Sequence, residues 1–124
     1  MISVTKIFMF EACHNLPYYD GACHNLHGHS YKLEVTVKGD IITDTNNPKC
    51  GMIVDFKDLK QIVKDVALDK YDHSNLNAFF DNPTAEIMVK VIASDLMRAF
   101  LPHNLHLVSC KLWETTTSYA EFQP

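Results

Sequence analysis

Apolar and polar residues alternate from Ile2 to His14, with Phe8, Phe10, Ala12 and His14 on one side and Ile7, Met9, Glu11 and Cys13 on the other. That period of two predicts a β-strand with both faces partly covered. Asn15 to Cys23 breaks the pattern with Pro17, Asp20 and Gly21 and reads as a loop. Alternation resumes from His27 to Lys38, where Tyr31, Leu33, Val35 and Val37 continue the side on which His27 and His29 lie. Antiparallel pairing is the simplest arrangement of the two strands. It brings His14, at the end of the first, beside His27 and His29, at the start of the second.

Gly39 and Asp40 close the second strand, and Thr43 to Gly51 is a polar, turn-rich connection. The period then changes. Asp55 can cap a helix whose apolar residues Phe56, Leu59, Ile62, Val63, Val66 and Ala67 are spaced by three and four. Lys70 to Asn77 is a polar break containing the adjacent pair Asp72-His73. Asn82 as cap and Pro83 in the first turn begin a second helix, with Ile87, Met88, Val91, Ile92, Leu96 and Phe100 as its stripe, ending before Pro102. Strand period returns from Leu105 to Glu114. Leu105, Leu107 and Trp113 fall on one face, and Val108, Cys110, Leu112 and Glu114 on the other. After a turn at Thr115 to Ser118, a last short strand runs from Tyr119 to Phe122.

The order is therefore β-β-α-α-β-β, an α+β domain with a four-stranded antiparallel sheet and two helices on one face. The second face of the strands is also apolar in places, at Ile7, Met9, Leu107 and Trp113, which fits burial between subunits.

At 124 residues and 47% hydrophobic, residues 1–124 suit a single domain that buries roughly two thirds of its unfolded surface. A net charge of -4 with no basic stripe argues against nucleic-acid binding. No apolar window reaches membrane-spanning length and no secretion signal precedes the first strand, so a soluble cytoplasmic protein is expected. Cys13, Cys23, Cys50 and Cys110 fall at unrelated spacings, and reduced thiols follow from that setting.

Two imidazoles on one strand face can share a metal ion. His27 and His29 are i, i+2 neighbours, and Gly28 between them leaves the opposite face bare, open to close approach by another backbone. Catalytic zinc usually has three protein ligands and an open fourth position, and His14 is the third candidate. A structural site using Cys13-His14 and Cys23-His24 is the rival, although the C-x(2-4)-C knuckle of zinc fingers is absent. Taken singly, each histidine reads equally as a hydrogen-bonded core or surface residue. The Asp72-His73 pair reads as surface decoration, Glu114 as an exposed strand-end charge, and Glu86 as a carboxylate favoured at a helix start.

Several pieces in order resemble the 6-pyruvoyltetrahydropterin synthase superfamily, and within it the bacterial 6-carboxytetrahydropterin synthases of queuosine biosynthesis. They are Phe10-x-Ala12-x-His14, Cys23-x3-His27-Gly28-His29, Gly51-Met52-Ile53-Val54-Asp55-Phe56, Asp72-His73 with Leu76-Asn77, Asn82-Pro83-Thr84-x-Glu86, and Glu114-Thr115. The resemblance spans nearly the whole chain. It implies the tunnelling fold, in which three subunits join their sheets into a barrel and two trimers stack as a hexamer. It also implies zinc on His14, His27 and His29 and Cys23 as proton acceptor. Asp72, His73 and Glu114 complete the site, with Asp72 and His73 coming from a neighbouring subunit.

The implied substrate is 7,8-dihydroneopterin triphosphate. Zinc acts as a Lewis acid toward its hydroxylated side chain, and Cys23 and the Asp72-His73 pair move protons. Glu114 holds the amino-pyrimidine edge, and Thr84 and Glu86 lie near the ring. The short Cys23-x3-His27 gap is that of the carboxy-forming branch, whose products are 6-carboxy-5,6,7,8-tetrahydropterin, acetaldehyde and triphosphate. A pyruvoyl-forming synthase that eliminates triphosphate is the second reading, and a non-catalytic zinc or pterin-binding module is a third.

Overall fold

A computed structural model describes residues 1–124. The first two strands form as the alternation requires. β1 (Ser3–His14) and β2 (His27–Lys38) pair antiparallel along their whole length, from Ser3 opposite Lys38 to His14 opposite His27. Phe8, Phe10, Ala12 and His14 of β1 and Tyr31, Leu33, Val35 and Val37 of β2 are buried, while Ile7 and Met9 on the reverse face are exposed. The Phe10 and Tyr31 rings stack across the pair, 4.9 Å apart and nearly parallel.

The first helix is longer than its apolar spacing suggests. α1 (Phe56–Val63) starts where Asp55 Oδ1 accepts the Lys57 N–H at 2.9 Å. It runs on through a π-helical turn, Lys64–Leu68, into α2 (Asp69–Tyr71). Its buried row is Leu59, Val63, Ala67 and Tyr71, and Phe56 stands half exposed outside it. A row spaced strictly by four drifts around a helix of 3.6 residues per turn, and the wider π turn offsets that drift so that Tyr71 still faces the core.

α3 (Ala85–Phe100) begins later than the Asn82-Pro83 signal suggests. Its cap is Thr84, whose Oγ1 accepts the Ile87 N–H at 3.2 Å, while Asn82 closes a tight turn by accepting the Thr84 N–H at 2.8 Å. The shift moves the stripe as well. Met88, Ile92, Leu96 and Phe100 are buried together with Val89 and Ala93, whereas Ile87 and Val91 face outward.

The sheet holds one strand more than expected, in the order β3-β1-β2-β4-β5. β3 (Ser74–Asn75) pairs parallel with Ala12 and Cys13 of β1, too short to be visible as a period. β4 (His106–Thr115) and β5 (Ser118–Phe122) complete the antiparallel part. A bulge in β4 sets Thr36 opposite Ser109 but Val37 opposite Leu107, so Val108 is the extra residue. That reverses the parity upstream of it. Leu107 is buried with Cys110 and Leu112 and does not share a face with Trp113, contrary to the simple alternation.

Gly28 is not a point of close approach within the chain. A Cβ placed there would meet only the Ala12 carbonyl oxygen at 3.7 Å, an ordinary contact.

Leu33 lies fully buried at the centre of β2, between Phe8 and Leu112. Leu33→Ala is expected to lower unfolding free energy by about 3 kcal/mol, the usual cost of a large-to-small core change. Urea unfolding at matched protein concentration should show an earlier midpoint with unchanged slope. A loss below about 1 kcal/mol would contradict the packing described, since such a loss is typical of surface sites.

Candidate active site

The register His14 opposite His27, with His29 two residues further along β2, gathers the three imidazoles at one end of the buried sheet face. Their ring centroids are 4.7, 5.0 and 4.8 Å apart, and their ligand atoms lie within 4.8 Å of one another. His14 is fully buried. Burial lowers its pKa, against a smaller opposing effect of the Pro83 carbonyl, and burial likewise lowers the pKa of His29.

Backbone carbonyls decide which nitrogens carry protons. His14 Nδ1 lies 2.9 Å from the Pro83 oxygen and His27 Nδ1 lies 2.7 Å from the Asn25 oxygen. A carbonyl can only accept, so each Nδ1 is the protonated nitrogen. In the neutral rings both Nε2 atoms are then bare lone pairs, and they face each other at 3.1 Å. His29 Nε2 points into the same space, buried and without a hydrogen-bond partner. Two lone pairs facing each other at this distance repel unless a cation sits between them, and the buried His29 Nε2 has no other hydrogen-bond partner. The donor set therefore fits a metal ion held by three imidazoles, with carbonyls orienting the rings from behind.

Tyr31 continues the face of His27 and His29, and its hydroxyl lies 3.3 Å from His14 Nδ1. Burial raises its pKa well above the usual phenol range, so it stays neutral. The period-two pattern placed Tyr31 on this face without marking it as a neighbour of the ligands. The Pro83 carbonyl was hidden too, because a backbone oxygen leaves no trace in residue type.

Cys23 lies in a short 3-10 turn, Ala22–His24, within the loop that leaves the sheet at His14 and returns at His27. Its thiol is partly buried. The Leu16 N–H donates to the Cys23 carbonyl at 2.8 Å and closes this loop on itself.

Asp72 and His73 are joined to each other, His73 Nδ1 lying 2.9 Å from Asp72 Oδ1, but they stand at the edge of the sheet. Asp72 Oδ1 also accepts the Glu11 N–H at 3.0 Å, and this bond is the main cause of its lowered pKa. The His73 N–H donates to the Glu11 carbonyl, which draws His73 into a left-handed backbone with φ of 59°. For a residue other than glycine that conformation costs about 1 kcal/mol or more. The His73 side chain is largely exposed. It lines a shallow depression of about 480 Å³ at this edge, together with Glu11, Cys13, Ser30 and also His29 of the ligand cluster. Within one chain, Asp72 and His73 thus stand exposed at the sheet edge while His14 is buried on the core face.

Glu114 does join the histidines. The β4 register places it on their face, with Oε1 3.7 Å from His29 Nε2. Thr84 and Glu86 are not brought to the ligand cluster. The Thr84 hydroxyl is engaged in the α3 cap, and Glu86 is exposed beside a groove that Tyr119 and Phe122 of β5 also line.

Residues 3–124 match the family described as 6-pyruvoyl tetrahydropterin synthase. The chain is 36% identical over 142 residues to a 6-carboxy-5,6,7,8-tetrahydropterin synthase of Haemophilus influenzae, covering 99% of each chain. It is 38% identical over 105 residues to a dihydroneopterin monophosphate aldolase of Pyrococcus furiosus, covering 85% of this chain and 82% of that one. Among solved structures, 6-pyruvoyl tetrahydropterin synthase of Caenorhabditis elegans superposes with a TM-score of 0.81 at 26% identity, covering 99% of this chain and 95% of that one.

Metal-stripped protein titrated with Co2+ is expected to bind one ion per chain and to develop the visible absorption of a four-coordinate site. Bound metal at a hundredfold excess over its dissociation constant should stabilise the fold by about 2.7 kcal/mol, seen as a higher melting temperature. His29→Ala should lose both effects. Unchanged stoichiometry and spectrum in that variant would rule out the three-histidine site.

Proposed function

The chain belongs to the 6-pyruvoyl tetrahydropterin synthase family and is a pterin lyase, and on that premise we propose that it is a zinc-dependent 6-carboxytetrahydropterin synthase acting in queuosine biosynthesis. It converts 7,8-dihydroneopterin triphosphate into 6-carboxy-5,6,7,8-tetrahydropterin, acetaldehyde and triphosphate. The observation that carries this reading is the cluster of three imidazoles, their ligand atoms within 4.8 Å of one another, at the root of the loop holding Cys23. Zinc is the ion of choice for a neutral three-imidazole set, and its chemistry is Lewis-acid polarisation of the substrate's hydroxylated side chain.

The chain's own groups take the remaining roles. Glu114 accepts paired N–H bonds from the amino-pyrimidine edge of the pterin, and its place 3.7 Å from His29 sets the ring beside the ligand cluster. Cys23 removes a proton from the side chain as thiolate. Asp72, ionised by its bond to the Glu11 N–H, holds the His73 ring through Nδ1 and leaves Nε2 free to carry a proton. The carbon count closes: one side-chain carbon stays on the ring as carboxyl, two leave as acetaldehyde, and water supplies the second carboxyl oxygen.

The Asp72-His73 pair stands exposed at the edge of the sheet, free to serve a second copy. We therefore assign the exposed reverse face, with Ile7 and Met9, to a homo-oligomer of the family's trimer or hexamer type. In it, His73 of one subunit serves Cys23 of the next. No helix is long and apolar enough to cross a membrane, and cytoplasmic action on a soluble pterin follows from the proposed reaction.

Incubation with 7,8-dihydroneopterin triphosphate should yield acetaldehyde and the 6-carboxy product in equal amounts. Triphosphate with a 6-pyruvoyl pterin and no acetaldehyde would move the chain to the pyruvoyl-forming reading. Absence of any turnover would favour a binding module.

Cys23→Ala should keep its zinc while losing roughly 10²- to 10⁴-fold in kcat, the range for a removed general base. Mixing inactive Cys23→Ala with inactive His73→Ala should restore part of the activity, because some interfaces then carry both intact groups. No recovery after subunit exchange would refute the shared site.

A further inference from the structure

We propose that Asn77 is a positioning residue for the thiol loop, its side-chain amide acting as a clasp that sets where the Cys23 loop leaves the sheet. The inference rests on the assignment of Cys23 as the proton acceptor, and it starts from an interruption in the strand pairing. β1 and β3 pair at Ala12 with Ser74 and Cys13 with Asn75. Two residues further on, Asn15 would face Asn77, but there the chain turns into the 3-10 segment Leu76–Ala78 and its backbone can no longer pair. The Asn77 side chain takes over. Its Oδ1 accepts the Asn15 N–H at 2.9 Å and its Nδ2 donates to the Asn15 carbonyl at 2.9 Å.

Both polar backbone groups of Asn15 are thereby held by one carboxamide, which mimics a missing strand residue. The clasp is itself rigid, because the Asn77 N–H donates to Asn75 Oδ1 at 3.0 Å. Asn15 sits between His14, whose ring is in the ligand cluster, and Leu16, whose N–H holds the Cys23 carbonyl at 2.8 Å. Asn77 is therefore two hydrogen-bonded links from the thiol residue and one peptide from a metal ligand. A second tether supports the same loop further out, where the Tyr18 hydroxyl donates to Asp81 Oδ2 at 2.7 Å. Both tethers run to the segment between β3 and α3, so the thiol loop is referenced to that segment.

The donor and the acceptor are both required, and this separates the clasp from simple packing. Asn77→Asp keeps the acceptor for Asn15 N–H and nearly the same volume, but sets a carboxylate oxygen against the Asn15 carbonyl. Asn77→Ala removes both bonds. With zinc saturating, each variant is expected to lower kcat by roughly 10- to 100-fold, the scale of a misplaced reacting group, with KM within about twofold of the parent.

Independently of turnover, alkylation of Cys23 by iodoacetamide, followed by peptide mass spectrometry with Cys50 as internal reference, should accelerate. An increase of roughly fivefold or more matches the loss of two hydrogen bonds of ordinary net strength. A lower melting temperature with unchanged kcat and unchanged Cys23 alkylation would make Asn77 merely structural and overturn the proposal. So would a rise in KM with kcat unaffected. If the parent protein itself fails to turn over the pterin, the assigned reaction falls, and the alkylation comparison still decides whether Asn77 holds the loop.

Discussion

Two imidazole nitrogens 3.1 Å apart, each with its ring proton committed to a backbone carbonyl, are the constraint around which this chain is built. They exist in that relation only because β1 and β2 are in register from Ser3–Lys38 to His14–His27. A slip by one residue would turn His14 to the opposite face and expose the Phe8, Phe10 and Ala12 side chains as well. The hydrophobic core and the ligand cluster therefore enforce the same register. The cluster is accordingly a continuation of the core, with Tyr31 stacked on Phe10 on one side and touching His14 on the other.

Glu11 ties the edge of the sheet to its reverse face. Its N–H and carbonyl bind Asp72 and His73 at the edge, and its carboxylate accepts the Ser30 hydroxyl at 2.7 Å on the reverse face. Because Asp72 is held by a backbone donor, its position depends on the path of β1 and not on a flexible side-chain partner. The left-handed backbone at His73 is a local cost that this anchoring sustains. The outcome is a chain with His14 buried on the core face and an exposed Asp-His pair at the edge of the sheet.

Overall similarity does not choose between reactions. The chain is 36% identical to a 6-carboxy-5,6,7,8-tetrahydropterin synthase over 99% of its length and 38% identical to a dihydroneopterin monophosphate aldolase over 85%, and its backbone superposes on a 6-pyruvoyl tetrahydropterin synthase. A shared fold hosts related chemistries through the groups placed around a common frame.

Residue pattern alone was sufficient for the long elements, for the shared face of His14, His27 and His29, and for Glu114 on the face of Leu112. Each depends on a period carried by many side chains, which burial reinforces at every step. What pattern could not determine was set by single contacts between distant segments. β3 is two residues long and exists through its pairing with Ala12 and Cys13. The start of α3 moved from Asn82 to Thr84 because one hydroxyl caps it, and the bulge at Val108 reversed the face of Leu107. The proton positions on His14 and His27 come from carbonyls of Pro83 and Asn25, and the course of the Cys23 loop from an amide 62 residues from Asn15. Backbone oxygens and long-range hydrogen bonds have no periodic signature, so only the folded chain could reveal them.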